Sequence, residues 1–241
     1  MVYKDLSVLA VVPARGGSKS IPRKNLCKIL GLSLVARAAE VVRSLPWIDV
    51  AIISTDDDEI TKEALEHGLE APFRRPNELA ADTSDSVDMW QHAWSACEEY
   101  YSCRFDMSIL LEPTSPLRRP EDVEQTVRKL VEGGHHAAAT VSPTPAHFTP
   151  HKTLVVSQEG IVGLYHPEGK KHSRRQTINP YYHRNGICYA VMRETLVEHG
   201  QILETDCAAV IIDRPIVNID EPLELEMAEW LLRRGEEDMH R

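Results

Sequence analysis

Strand alternates with helix four times between Val8 and Ser142, and that alternation constrains the fold more than any other feature of the chain. "VLAVV" (Val8–Val12) is a continuous apolar run, the pattern of a strand buried on both faces. Ser33 stands just ahead of Leu34, Val35, Ala38, Val41 and Val42, which keep helical spacing. "VAIIS" (Val50–Ser54) is a second buried strand; acids then open a helix that Gly68 closes. Val87, Trp90, Trp94 and Cys97 recur at three and four, predicting a helix from about Ser84 to Tyr101. "MSILLE" is a third strand, "PEDVEQTVRKLVEGG" a helix with Pro120 at its start and glycines at its end, and "AAATVS" a fourth strand. The order implies an α/β fold around a mostly parallel sheet flanked by helices.

In such sheets ligands sit beyond the carboxyl ends of the strands. The segments to search are therefore "PARGGSK", "STDDD", "EPTSPLR" and "NIDEP". The rhythm breaks over 142–185, which is rich in Pro and His and includes a hairpin expected to turn near Glu159 and Gly160. We read residues 1–241 as a single domain and 143–184 as an insertion, an oligomer contact or lid. "GICYAVM", "AVIID" and "IVNID" resume the strands. A last helix spans about Glu221–Arg234, with Leu225, Ala228, Leu231 and Leu232 on one side.

The formal net charge of −10 argues against nucleic acid as the main partner, since phosphate backbones demand a basic face. It leaves room for a small polyanion in a local basic pocket. No apolar run approaches the roughly 18 residues of a membrane helix. Leu6–Ala14 is short enough for a signal-peptide core, but Asp5 and the weakly basic residues ahead of it argue for a strand. The five cysteines, odd in number and without zinc spacing, read as reduced thiols of a cytoplasmic protein. Seven histidines between His135 and His183 lack an HExxH motif, and surface or interface positions suit them better than zinc. Asp56, Asp57 and Asp58 suit a helix N-terminus better than a metal site.

The basic pocket has an obvious candidate. Gly16 and Gly17 follow the first strand, and Arg15, Lys19, Arg23 and Lys24 crowd into ten residues around them. Glycines let backbone N–H groups approach an anion closely, and the cations add forked or mobile donors. Met1–Leu30 carries six basic residues and one acid, a local +5; Ile219–Arg241 carries three basic residues and eight acids, a local −5. A polyphosphate gripped at one end of a site and a divalent metal at the other fit that asymmetry. The loop is neither a Walker A sequence nor a GxGxxG fingerprint. A solvated basic turn is the plain alternative.

"PARGGSKSIPRKN" resembles the signature loop of the acylneuraminate cytidylyltransferases, the CMP-sialic acid synthetases. The resemblance continues through "STDDDEI", "RPNELAADTS", "EPTSPLR", "RNGICYAV" and "NIDEPLELEMAEWLL", in the family's order and over most of the chain. It implies a Rossmann-like nucleotidyltransferase fold. It also implies CTP as co-substrate, Mg²⁺ or Mn²⁺ as cofactor, and a nonulosonic, sialic acid-like sugar as acceptor. Homodimers or tetramers, crossing over through the inserted segment, are implied as well. The implied enzyme transfers CMP from CTP to the sugar's anomeric hydroxyl and releases pyrophosphate. A shorter 3-deoxy-keto sugar acid or sugar phosphate as acceptor, or a catalytically inactive nucleotide-binding module, are the alternatives.

The resemblance aligns Arg15, Lys19 and Lys24 with triphosphate-gripping, catalytic cations. It places Ala14, Gly16, Gly17, Ser18 and Asn25 against the nucleotide. Arg75 matches a residue near the cytosine; Asp82 and Ser84 either assist there or cap the next helix. Arg23 matches a more variable place. Glu112, Thr114, Ser115, Arg118, Arg175, Gln176, Asn185 and Tyr189 match sugar-side positions, although Arg118 also suits tying down its loop and Tyr189 core packing. The family commonly has Gln where this chain has Glu112, and a carboxylate there repels a sugar carboxylate that an amide would bind. The family's usual Asp-x-Asp metal pair is here Asn218 and Asp220. Two apart in an extended segment, they can face one ion, with Asn218 bringing an oxygen but no charge. Asp220 as a mere helix cap is the alternative.

Overall fold

The computed structural model describes residues 5–171 and 180–239. In chain order these form β1 (Val8–Pro13), β2 (Lys28–Ile29), β3 (Leu32–Ser33), α1 (Leu34–Arg43), β4 (Val50–Ser54), α2 (Asp58–Glu66), α3 (Ser86–Tyr101) and β5 (Met107–Leu110). Then come α4 (Pro120–Gly133), β6 (Ala137–Pro143), β7 (Leu154–Val156), β8 (Val162–Leu164), β9 (Tyr182–Met192), β10 (Cys207–Ile211) and α5 (Pro222–Met239). Six strands make one sheet in the order β10-β6-β9-β5-β1-β4. β1 pairs in parallel with both β4 and β5, and β9 runs antiparallel to β5. The result is an α/β, Rossmann-like sheet in which the first strand of the chain lies between β4 and β5.

Burial explains why β1 reads as unbroken apolar sequence. Val8 through Val12 are all 0% exposed, paired on both edges and covered on both faces. On one face α3 packs Trp90, Trp94 and Cys97 into a cluster with Leu9, Val11 and Ile52. The Trp90 indole N–H finds its partner at the Ser108 hydroxyl, 2.8 Å away, and that hydroxyl donates to the Leu9 carbonyl. A second cluster joins Ile29 and Leu34 to Val217, Ile219 and Ala228.

The chain divides into two compact units. One comprises 1–140, 185–210 and 214–241; the other comprises 141–184 and 211–213. The second unit carries the β7–β8 hairpin, which turns at Gly160 with φ +78°.

Several expectations need correction. "IVNID" forms no strand: its Ile219 N–H goes to the Thr114 carbonyl in a loop, at 2.8 Å, not into a ladder. α3 begins at Ser86 because Asp85 caps it, accepting from the Val87 N–H; neither Asp82 nor Ser84 does so. β9 starts at Tyr182, four residues ahead of "GICYAVM", and α5 extends past Arg234 to Met239. The β2–β3 hairpin, with φ +48° at Leu30 and +84° at Gly31, lacked the Asn-Gly or Asp-Gly signal such turns usually show. His147 and His151 stand four apart, yet no metal-capable group of three or more His, Cys, Asp or Glu occurs among the described residues. All five cysteines are free; burial pushes the thiols of Cys97 and Cys188 up to about 12.

Candidate active site at the carboxyl ends of the central strands

β1, β4 and β5 end side by side, and the loops after β1 and β5, with the segment leading into α3, line a cavity of about 300 Å³. Arg15, Lys24 and Asn25 reach it from the first loop. Arg75, Asp82 and Ser84 border it from the segment before α3, and Glu112 and Thr114 from the loop after β5.

The glycine loop is shaped by the acids after β4. Gly16 N–H donates to Asp56 Oδ1 at 2.9 Å, and a Cβ on Gly16 would stand 2.8 Å from the Asp57 carboxylate. Asp57 itself caps α2, accepting from the Glu59 and Ile60 amides. So two of the three consecutive aspartates hold the loop and the helix in place, and Asp58 pairs with Arg74. Ala14 N–H bonds to the Ser54 carbonyl, continuing the β1–β4 ladder by one step, and the Ser18 N–H turns back to the Gly16 carbonyl. Gly17 has nothing within 4 Å of its would-be Cβ.

The cations differ in how they are held. Arg15 and Lys19 both pair with Asp82: Arg15 Nη2 lies 2.8 Å from its Oδ1, and Lys19 Nζ meets Oδ2. Lys19's hydrogen bond, with added charge from both partners, holds the Asp82 carboxyl below its usual range. Lys24 Nζ donates to the Ile219 carbonyl at 2.8 Å and to Asp220 Oδ1 at 2.9 Å, tying the basic loop to the acidic end of the chain. Arg23 pairs with Glu59. Asn25 is buried and donates to the Arg15 carbonyl at 3.0 Å, so its amide shapes the loop.

Two arginines serve the scaffold. Arg75, 5% exposed, donates to the Ser54 hydroxyl and carbonyl, and burial pushes its guanidinium down to about 10. Arg118, 6% exposed, donates to the carbonyls of Glu112, Gly186 and Ile187. It thereby braces the "EPTSPLR" loop and β9 and does not turn to the cavity. Ser115 Oγ donates to the Asn185 carbonyl at 2.8 Å and lies 3.4 Å from Asn218 Oδ1. Asn185 Oδ1 accepts from Thr140. Tyr189 sits opposite Leu110 in the sheet and packs into the Trp90 cluster, a core position. Arg175 and Gln176 lie outside the described residues.

At the acidic end, Glu224 accepts from the Asp220 and Glu221 amides, while the Asp220 carboxylate faces Lys24. Asn218 and Asp220 supply hard oxygens of the kind Mg²⁺ takes. One carboxylate and one amide oxygen suit an ion that would take its other ligands from a bound phosphate and water; in the structure Asp220 Oδ1 pairs with Lys24 and Asn218 Oδ1 lies 3.4 Å from Ser115 Oγ. The helix N-terminus expected of Asp56, Asp57 and Asp58 is found at Asp57, the cap of α2, and at Asp58 in its first turn; what sequence reasoning missed is that Asp56 fastens the glycine loop.

Comparison with known proteins shows the family and the fold. The model of a family described as "Cytidylyltransferase" matches residues 9–230. A pseudaminic acid cytidylyltransferase of Campylobacter jejuni is 27% identical over 230 residues, 95% of this chain and 97% of that protein. A CMP-N,N'-diacetyllegionaminic acid synthase of Legionella pneumophila is 27% identical over 235 residues, 96% of this chain and 99% of that protein. Among solved structures, a CMP:2-keto-3-deoxy-manno-octonic acid synthetase complexed with CTP superposes with a TM-score of 0.71 at 19% identity, covering 95% of this chain and 99% of that one, a likeness of fold.

Proposed function

Because the chain belongs to the cytidylyltransferase family, we propose that it transfers CMP from CTP to the anomeric hydroxyl of a nonulosonic acid, with release of pyrophosphate. One observation carries this reading: Arg15, Lys24 and Asn25 line one cavity at the strand ends, and Lys24 bridges it to Asp220. The names of the relatives support a nine-carbon acid of the sialic, pseudaminic or legionaminic kind.

Attack on the α-phosphorus builds charge on phosphate oxygens, so catalysis here is chiefly positioning and cation clamping. Arg15 offers a planar fork suited to two phosphate oxygens, and Lys19 a compact charge on a flexible stem. Lys24 adds a third cation, oriented by the Ile219 carbonyl. Asp56 and Asn25 keep the loop backbone in the shape that presents these groups. Asn218 and Asp220 would hold Mg²⁺ or Mn²⁺, which when bound supplies charge neutralisation at the phosphates.

The test is turnover with CTP, Mg²⁺ and a panel of N-acetylneuraminic, deaminated, pseudaminic, legionaminic and eight-carbon acids. Pyrophosphate release with a nine-carbon acid is the expected result. No release with any acceptor from folded protein, or preference for UTP, overturns the reading.

The same reading assigns residues 143–184 to contact with a second copy of the chain. Leu154, Val156, Ile161 and Val162 are 55–68% exposed on the β7–β8 hairpin, an apolar surface that a partner would cover. Val156→Lys combined with Val162→Lys should convert a dimer to a monomer in light scattering; an unchanged mass would rule the hairpin out as the contact.

A further inference from the structure

We infer that Asp82 is a positioning residue that competes with the nucleotide's phosphates for Arg15 and Lys19, holding both cations at the cavity until CTP displaces it. The inference rests on the cytidylyltransferase reading of this cavity.

Its geometry is that of a phosphate stand-in. Each carboxylate oxygen takes one cation, Oδ1 from Arg15 and Oδ2 from Lys19. Both cations come from the loop after β1, whereas Asp82 comes from the segment before α3 and borders the same cavity as Arg15. Two cations and one carboxylate leave a net +1, so a triphosphate meets less positive charge than the loop alone would offer. Every N–H engaged by Asp82 is one that a phosphate oxygen must take over.

The bridge is built to exchange. The side chains of Arg15, Asp82 and Lys19 are 36%, 41% and 84% exposed, and exposed ion pairs are individually weak. A structural ion pair in the same protein looks different: Asp122, whose side chain is 7% exposed, is gripped by Arg214 through both oxygens. Nor does Asp82 have the usual local task of its residue type, because Asp85 caps α3 and Ser84 donates to the Glu78 carbonyl. What it does is link the segment after Arg75 to the phosphate loop. Phosphates that take Arg15 and Lys19 therefore also release the Asp82 side chain, in the segment that follows Arg75.

The experiment is the dissociation constant for CTP by calorimetry, with Mg²⁺ present, acceptor absent and ionic strength fixed. Asp82→Asn and Asp82→Ser remove the charge; Asp82→Glu keeps it. The two neutral variants should bind CTP about threefold to tenfold tighter than the parent, with the Glu variant close to the parent. Tightening is a result that structural damage does not produce. In an Arg15→Ala/Lys19→Ala background, adding Asp82→Asn should change the constant less than about twofold, since the groups it competes over are gone. Neutral variants that bind CTP as the parent does, or more weakly, overturn the inference alone. A folded parent that binds no CTP overturns the functional reading and the inference with it.

Discussion

Arg15→Ala should lower kcat/KM for CTP about 10²- to 10³-fold, equivalent to ~3–4 kcal/mol of transition-state stabilisation. The size follows from how the residue is built in. Its carbonyl is fixed by Asn25, the next residue's N–H is fixed by Asp56, and its guanidinium stands at the cavity edge with 36% of the side chain exposed. A fork so placed stabilises charge on phosphate oxygens without reorganising when that charge develops. Arg15→Lys should recover part of the loss, because charge returns but the bidentate geometry does not. Lys19→Ala should cost less, about tenfold, since an ammonium that is 84% exposed is screened and must be ordered on binding. Initial rates over a range of CTP concentrations separate these effects, and an Arg15→Ala enzyme within threefold of the parent would show that the phosphates lie elsewhere.

Arg118→Leu should destabilise the fold by about 3–5 kcal/mol, read as a lower urea midpoint. The guanidinium is buried and holds the carbonyls of Glu112, Gly186 and Ile187, which join the loop after β5 to β9. Burial pushes the group down to about 10, which still leaves it charged at neutral pH. Leucine fills much of the space but takes a charged donor from three carbonyls, of which only Glu112's is shown to keep a second, the Ser115 N–H, and such lost hydrogen bonds are costly. Arg118→Lys should rescue little, since an ammonium on a flexible stem cannot serve three carbonyls in the fork's geometry. A midpoint unchanged by Arg118→Leu would mean that water replaces the guanidinium at no cost.

These two arginines show how far the sequence is legible. Arg15 stands beside two glycines at the end of an unbroken apolar strand, and that pattern points to the ligand edge of a parallel sheet. Arg118 lies in an equally suggestive loop, but its direction depends on β9, which arrives about 70 residues later in the chain through an antiparallel pairing with β5. No local pattern encodes that return. The alternation of strand and helix up to Ser142 was readable because period and burial agree along each element. "IVNID" misled for the same reason: Val217 and Ile219 are buried, Ile219 at 0% exposure, yet a loop uses them to pack against Ile29 and Leu34. Asp82 was readable as a helix cap by residue type alone; Asp85, three residues on, takes that place and leaves Asp82 to the cations. The Lys24–Asp220 pair joins residues from opposite ends of the chain, and only the charge asymmetry of the two termini hinted at it.

The most direct measurement is a crystal structure of the protein with CTP and Mn²⁺, the metal located by its anomalous signal. The account predicts phosphate oxygens within about 3 Å of the Arg15 and Lys19 nitrogens and a manganese peak beside Asp220. Phosphates about 10 Å or more from both cations, roughly a Debye length away, would contradict it.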